Sequence, residues 1–286
     1  MLSEATNTNY QNPKNSNIKN GLNNNLKESS IYYELGTQYG HLFQDIRYYQ
    51  WHPFMSSSIL GLRNGRPIIS AQVTLRSLCR AFFLISHIFL KNGNLLIVNT
   101  NPKYTKLCNK LFKQKNSSSS VKNSIKKKGI SYCFHKWIGG TLTNYDQISK
   151  SIYYFMMFKK LYHYLRKNRI TKLNFKEFPK YKRICKSLKG YMNRELITRN
   201  NSINRYSITL SGKPDLILCM NPQDNLSLIN EAYRLNIPVI ALVEPHINIK
   251  KITYPIPCNN NSYFLNYYIL KKILLLTLAK AKLKKK

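Results

Sequence analysis

Residues 94–102 read NLLIVNTNP, and residues 215–222 read DLILCMNP. Each is a short apolar run that ends in Asn-Pro, and that repeated phrase decides the fold. The run Leu95 to Val98 has no polar side chain, as suits a strand buried on both faces. Asn101 then stands as an N-cap, with Pro102 at the first helical position, where its missing N–H removes no bond. Leu107 and Leu111 fall on one face of the helix that follows. Asn221 and Pro222 repeat the grammar, and Leu228, Ala232 and Leu235 supply the second stripe. IPVIALV at 237–243 reads as another buried strand. ITYPIP at 252–257 reads as a shorter strand near an edge, because its prolines cannot donate to a ladder. Strands alternating with helices of this length predict a parallel, layered α/β sheet.

Outward from this core the composition changes. Residues 1–30 are Asn-rich with almost no apolar spacing and are expected to be a disordered tail. QKNSSSSVKNSIKKKG at 114–129 reads as a flexible basic loop. The stretch 153–206 holds fifteen Lys and Arg but only Glu177 and Glu195 as acids. Just before and within it, Ile148, Ile152, Phe155, Phe158, Tyr162 and Leu165 recur at helical spacing, and Thr143 with Asp146 resembles a capping box. The expectation is a basic helical hairpin at 153–206 inserted into an α/β domain formed by 31–152 and 207–286. A basic helix closes the chain.

Charge narrows the function. Forty-six Lys and Arg stand against eleven Asp and Glu, a formal net charge of +35. Such self-repulsion is without benefit unless a polyanion neutralises it, so a nucleic-acid partner is expected. The longest apolar runs, AFFLISHIFL at 81–90 and ILLLTLAK near the C-terminus, fall short of the roughly 20 apolar residues of a membrane span. A surface-lying basic helix at 261–286 is the distant alternative. Cys79, Cys108, Cys133, Cys185, Cys219 and Cys258 form no C-x-x-C pair, which suits a reducing compartment without a metal knuckle. The N-terminus has neither an apolar signal core nor an arginine before Arg47; synthesis inside an organelle would explain that simply.

Catalytic chemistry finds little support. No G-x-G-x-x-G follows a strand, no G-x-x-x-x-G-K-[ST] exists, and no histidine pair has metal spacing. The carboxylates are too thinly spread for acid–base work or for divalent ions. Gly139-Gly140, inside HKWIGGTLTNY, precedes a helix cap where an RNA phosphate could sit. His87, in an apolar helix, is expected in the core, and His41 and His135 at RNA or protein contacts. Trp51 and Trp137 are assigned to the surface, where rings stack on bases, with core packing as the open alternative.

HKWIGGTLTNYDQISKSI at 135–152 resembles the signature of the bacterial-type small-subunit ribosomal protein S2 family. YGH at 39–41, WHPFM at 51–55 and ILGLRNGRPIIS at 59–70 resemble its N-terminal block. GKPDLILCMNP at 212–222, NEAYRLNIPVIALVEPHI at 230–247 and ITYPIPCNNNS at 252–262 resemble its later segments in the same order. LLIVNTNPKY, HKWIGG and ITYPIP resemble the plant-type mitochondrial branch. Asn259, Asn260 and Asn261 depart from the family's Asn-Asp-Asp, and Val243-Glu244-Pro245 from its Val-Asp turn.

The resemblance implies a flavodoxin-like parallel sheet flanked by helices, with the inserted hairpin following the signature helix. It implies a structural constituent of the small subunit of a mitochondrial ribosome in the matrix, bound to rRNA and neighbouring ribosomal proteins. No catalytic residue, cofactor, metal, small-molecule substrate or membrane span is expected. Contacts are assigned to His41, Arg47, Trp51, His52, Arg63 and Asn64 in the N-terminal block. They continue through His135, Lys136, Trp137 and Asn144 in the signature to Lys159, Lys160, Arg166 and Lys167 on the insert. Gly139, Gly140 and Pro214 are assigned to turns. The rival reading is an RNA-processing or nucleotide-binding enzyme on a similar α/β scaffold.

Overall fold

The computed structural model describes residues 38–40, 53–113, 129–168, 183–184, 186–188, 190–199 and 203–283. The tail at 1–30 and all but the last residue of the basic loop at 114–129 lie outside the described residues.

After a one-turn helix at Pro53–Ser56, β1 (Ile59–Arg63) and β2 (Arg66–Ile69) form an antiparallel hairpin. Asn64 and Gly65 make its turn at positive φ, 49° and 69°, as a two-residue turn matched to strand twist requires. Helix α1 (Ala71–Leu90) follows, then β3 (Leu95–Val98). Asn101 caps the next turn as expected, accepting from the Lys103 backbone N–H, with Pro102 first in a 3-10 turn that runs into α2 (Thr105–Lys113). Next come β4 (Ile130–Cys133), α3 (Tyr145–Lys167), β5 (Met192–Arg199) and β6 (Ile203–Leu210). The chain closes with β7 (Leu216–Cys219), α4 (Leu226–Arg234), β8 (Val239–Val243), β9 (Tyr254–Pro257) and α5 (Tyr263–Leu283).

Five strands make one parallel sheet in the order β4-β3-β7-β8-β9. Counted along the chain within that sheet, this is the flavodoxin-like order, second strand first, with a reversal between β3 and β7. The proline-bearing β9 takes an edge, as its sequence required. Alternation along each strand divides the core into two layers. Leu95, Ile97, Leu216, Leu218, Ile240 and Leu242 pack with Leu78, Ile85 and Phe89 of α1 and Leu265, Ile269 and Ile273 of α5. Leu96, Val98, Ile217, Cys219, Ala241 and Val243 pack with Trp137, Leu142, Ile152, Leu228 and Ala232 on the other face.

Several expectations are corrected. The Asn221-Pro222 phrase makes a turn, and α4 starts later, after Asn225. Asn221 instead donates its amide to the Asp224 carboxylate at 2.6 Å, holding a bend in place of a cap. The Thr143–Asp146 capping box does not form either, since Asn144 is the N-cap of α3 and makes no side-chain cap bond. Pro214 is buried, and a bend at Asp215 separates it from β7. α1 begins at Ala71, upstream of the apolar run at 81–90, and is therefore long and apolar enough to cross a membrane by length and composition. One face of it nevertheless packs on the sheet through Leu78, Ala81, Ile85 and Phe89. His87 lies two residues past Ile85, about 200° round the helix, and is exposed, not core.

Among the described residues the insert is helical through Lys167, where α3 ends, and again at 183–184 and 186–187, but its later part is not helical. Within 192–210 the chain forms an antiparallel β-ribbon, paired from Met192↔Leu210 to Arg199↔Ile203. MNRELITR and INRYSITL carry β-branched residues and surround an Asn-Asn-Ser turn sequence, a strand pattern that the count of basic residues conceals. The boundary at 206 also moves. Leu188, Tyr191, Met192 and Leu210 are buried in the same cluster as Leu96 and Val98, so the end of the insert belongs to the α/β core.

Candidate nucleic-acid interface

The signature segment leaves β4 at Cys133 and enters α3 at Tyr145, and one acid organises it. Glu231 lies on α4 at the apolar-stripe position between Leu228 and Leu235, and it is buried. Its Oε1 accepts from the Trp137 indole N–H at 3.2 Å and from the Gly140 backbone N–H at 2.8 Å. Its Oε2 accepts from the Leu142 N–H at 2.8 Å. A buried carboxylate needs such donors, and three of them fold the loop around it. Gly140 sits at φ 84°, where a Cβ is strained. Gly139 has neither a positive φ nor a close neighbour, so the glycine requirement expected of the pair rests on Gly140.

This clamp decides which signature residues face outward. Trp137 is 5% exposed and bonded to Glu231, which removes it from the contact set and settles the alternative in favour of the core. Lys136 and Asn144 are exposed at either side of the turn, and His135 is half-buried. Behind them the Tyr145 hydroxyl donates to the Leu210 carbonyl at 2.9 Å, and that of Tyr191 donates to the Gly212 carbonyl at 3.3 Å. Burial raises both phenols above their ordinary pKa, so they remain neutral donors.

Along α3 the structure adds Lys159, Lys160, Arg166 and Lys167, all exposed. Arg63 and Asn64 are exposed at the tip of the β1–β2 hairpin. His41, Arg47, Trp51 and His52 lie outside the described residues. The described residues to which the sequence assigns contacts therefore stand on three separate elements, with the signature turn and α3 contiguous in the chain.

An open α/β sheet binds small ligands where its strand order reverses, outside the carboxyl ends of the strands. Here that crevice is stitched by the chain's own amides. Asn225 Nδ2 donates to Thr100 Oγ1 at 2.8 Å and to the Asn221 carbonyl at 2.6 Å, tying the loop after β3 to the loop after β7. Asn101 Nδ2 reaches Asn261 Oδ1 at 3.1 Å, and the Tyr104 hydroxyl donates to the Asn261 carbonyl. Glu244, fully buried, accepts from the Asn260 N–H at 3.3 Å, with His246 Nδ1 at 3.9 Å. The two departures from the family pattern thus meet each other. Among the described residues no group of three His, Cys, Asp or Glu could hold a metal.

Sequence reasoning missed Glu231. Its signal was present, since a carboxylate between Leu228 and Ala232 stands in an apolar stripe and must find buried donors. The donors, ninety residues earlier in the chain, could not be named without the fold.

The chain matches the family model described as Ribosomal protein S2 over residues 34–277. It is 34% identical over 207 residues to small ribosomal subunit protein uS2m of Marchantia polymorpha, covering 71% of this chain and 74% of that one. It is 27% identical over 235 residues to small ribosomal subunit protein uS2 of Rickettsia conorii, covering 80% and 67%. For the corresponding protein of Rickettsia massiliae the identity is 28% over 235 residues, with the same coverage. A match over most of the chain, on a parallel sheet of the expected order, makes this protein a member of the ribosomal protein S2 family.

Proposed function

We propose that the chain is an architectural, non-catalytic constituent of the small subunit of a mitochondrial ribosome, held by rRNA and neighbouring ribosomal proteins. The observation that carries this reading is the family match along most of the chain, joined to a net charge of +35. Phosphates supply the counter-charge that the chain lacks. The resemblance to uS2m of Marchantia polymorpha supports the mitochondrial matrix as the location. The enzyme reading would need an open crevice at the β3–β7 reversal, and Asn225 closes it against Thr100.

Contacts with rRNA are proposed for Arg63, His135, Lys136, Asn144, Lys159, Lys160, Arg166 and Lys167. Lys and Arg on helix and turn surfaces fix register on a sugar–phosphate backbone without reading bases. Asn64 serves the hairpin turn first, and its exposed amide is available beside Arg63. His41, Arg47, Trp51 and His52 retain the assignment that the sequence gives them. The deciding experiment is gradient sedimentation of the endogenous protein from a mitochondrial lysate. Co-migration with small-subunit rRNA, lost after ribonuclease treatment, is the expected result. A chain that stays at the top of the gradient overturns the reading.

A further inference from the structure

The outer side of α4 and the loop that leads into β9 make one surface. Asn230, Tyr233 and Arg234 lie opposite the buried Leu228, Glu231 and Ala232, and all three are exposed, Tyr233 by 59%. Lys251, from the loop between β8 and β9, crosses to this helix. Its Nζ donates to Asn230 Oδ1 at 2.7 Å and stands 5.9 Å from the centre of the Tyr233 ring. That bond uses one of the three ammonium donors and leaves two for another acceptor. Attraction to the helix C-terminus accounts for Arg234, but not for a lysine brought from a different element onto an exposed ring. The four acids within 203–283 are engaged elsewhere. Glu231 holds the signature turn, and Glu244 accepts from the Asn260 N–H. Asp215 accepts from the Asn94 N–H at 2.7 Å, and Asp224 from the Asn221 amide at the opposite end of α4.

We propose that this surface binds an unpaired stretch of RNA, with one base stacked on Tyr233 and the flanking phosphates on Lys251 and Arg234. The proposal rests on the reading that the chain is held in a small ribosomal subunit. Chemistry selects the occupant. An exposed ring beside a positioned ammonium meets what one nucleotide presents together, a flat base and an anionic phosphate. Lys251 takes one side of the ring at the reach of a cation–π contact, and the base takes the other. A duplex keeps its bases stacked on each other and would leave Tyr233 uncovered. An acidic peptide would pair with the cations but brings no flat partner to the open side of the ring.

The test irradiates purified small subunits with short-wavelength ultraviolet light, digests RNA and protein, and maps nucleotide adducts on peptides by mass spectrometry. The expected result is a nucleotide on Tyr233 or Lys251, with reverse transcription stopping at a nucleotide that has no Watson–Crick partner. No adduct at either residue overturns the proposal, as does a paired nucleotide. A carbodiimide bond from Lys251 to a carboxylate of another protein overturns it in favour of an acidic partner. A chain absent from the subunit fraction overturns the ribosomal reading itself, and this proposal with it. As a second measurement, the purified full chain is irradiated with a single-stranded oligouridylate. Tyr233→Leu should lower the yield of adduct at Lys251 at least about tenfold, the weight of one stacked base. Tyr233→Phe keeps the ring and should leave that yield unchanged. Circular dichroism should be unchanged in both variants, because Tyr233 is exposed. Equal yields from the two folded variants overturn the proposal.

Discussion

At the scale of single residues, Glu231 carries the most consequence. Glu231→Ala strands three N–H donors beside a cavity, and the expected loss of stability is on the order of 3 kcal/mol by urea unfolding. Glu231→Gln keeps one acceptor oxygen and should lose less. Gly140 and Gly139 differ although they are neighbours. Gly140→Ala places a Cβ at φ 84° and should cost about 1–2 kcal/mol, whereas Gly139→Ala should fall within about 0.5 kcal/mol. Equal effects at the two positions would contradict the geometry.

The thiols give a pH prediction at the same scale. Burial pushes Cys108 and Cys219 up from 9.0 to about 12 and Cys133 to about 11. Unfolded thiols release their protons first, so stability from these groups is complete below pH 9.0 and is lost as pH rises toward 11 and 12. The urea midpoint should therefore fall between those pH values, and less steeply in Cys133→Ala. At neutral pH iodoacetamide should label exposed Cys79 in the native chain and reach Cys108, Cys133, Cys219 and Cys258 only after denaturation, as read by mass spectrometry.

At the scale of elements, the insert separates what periodicity shows from what it hides. The three-and-four spacing from Ile148 onward predicted α3, and α3 is there. Strand alternation in 192–210 was outvoted by its cations, although side-chain charge says little about which period a segment follows. Replacing 153–206 by a Gly/Ser linker would remove Leu188, Tyr191 and Met192 from the core around Leu96 and Val98. The expected outcome is aggregation, with loss of far-ultraviolet circular dichroism. A narrower cut, joining Glu195 to Ser207 through Asn-Gly, keeps the pairing from Met192↔Leu210 to Glu195↔Ser207 and should leave the chain folded. If the long deletion folds and the short one does not, the placement of Tyr191 in the core is wrong.

At the scale of the whole molecule, the imbalance of charge governs association. With +35 formal charges, binding to rRNA should weaken with salt at a log–log slope of about −0.7 to −0.9 per phosphate neutralised. Filter binding between low and physiological salt measures it, and a flat response would contradict an electrostatic interface. Changing Lys159, Lys160, Arg166 and Lys167 together to Gln should reduce the slope by up to about 3–4 units, while the fold is retained because all four are exposed.

What the sequence determined by itself was the class of fold and the kind of partner. Buried parallel strands are nearly uniform apolar runs, so LLIV, LILC and VIALV declare themselves locally, and net charge is a sum that needs no coordinates. Tertiary structure alone decided which residues face the partner. Trp137 turns inward because its indole N–H meets Glu231, a contact between positions ninety-four apart. His87 turns outward because the sheet takes the other side of α1. Residue type sets what a side chain can bond to, but only packing brings distant donors and acceptors into reach, and burial follows from those meetings.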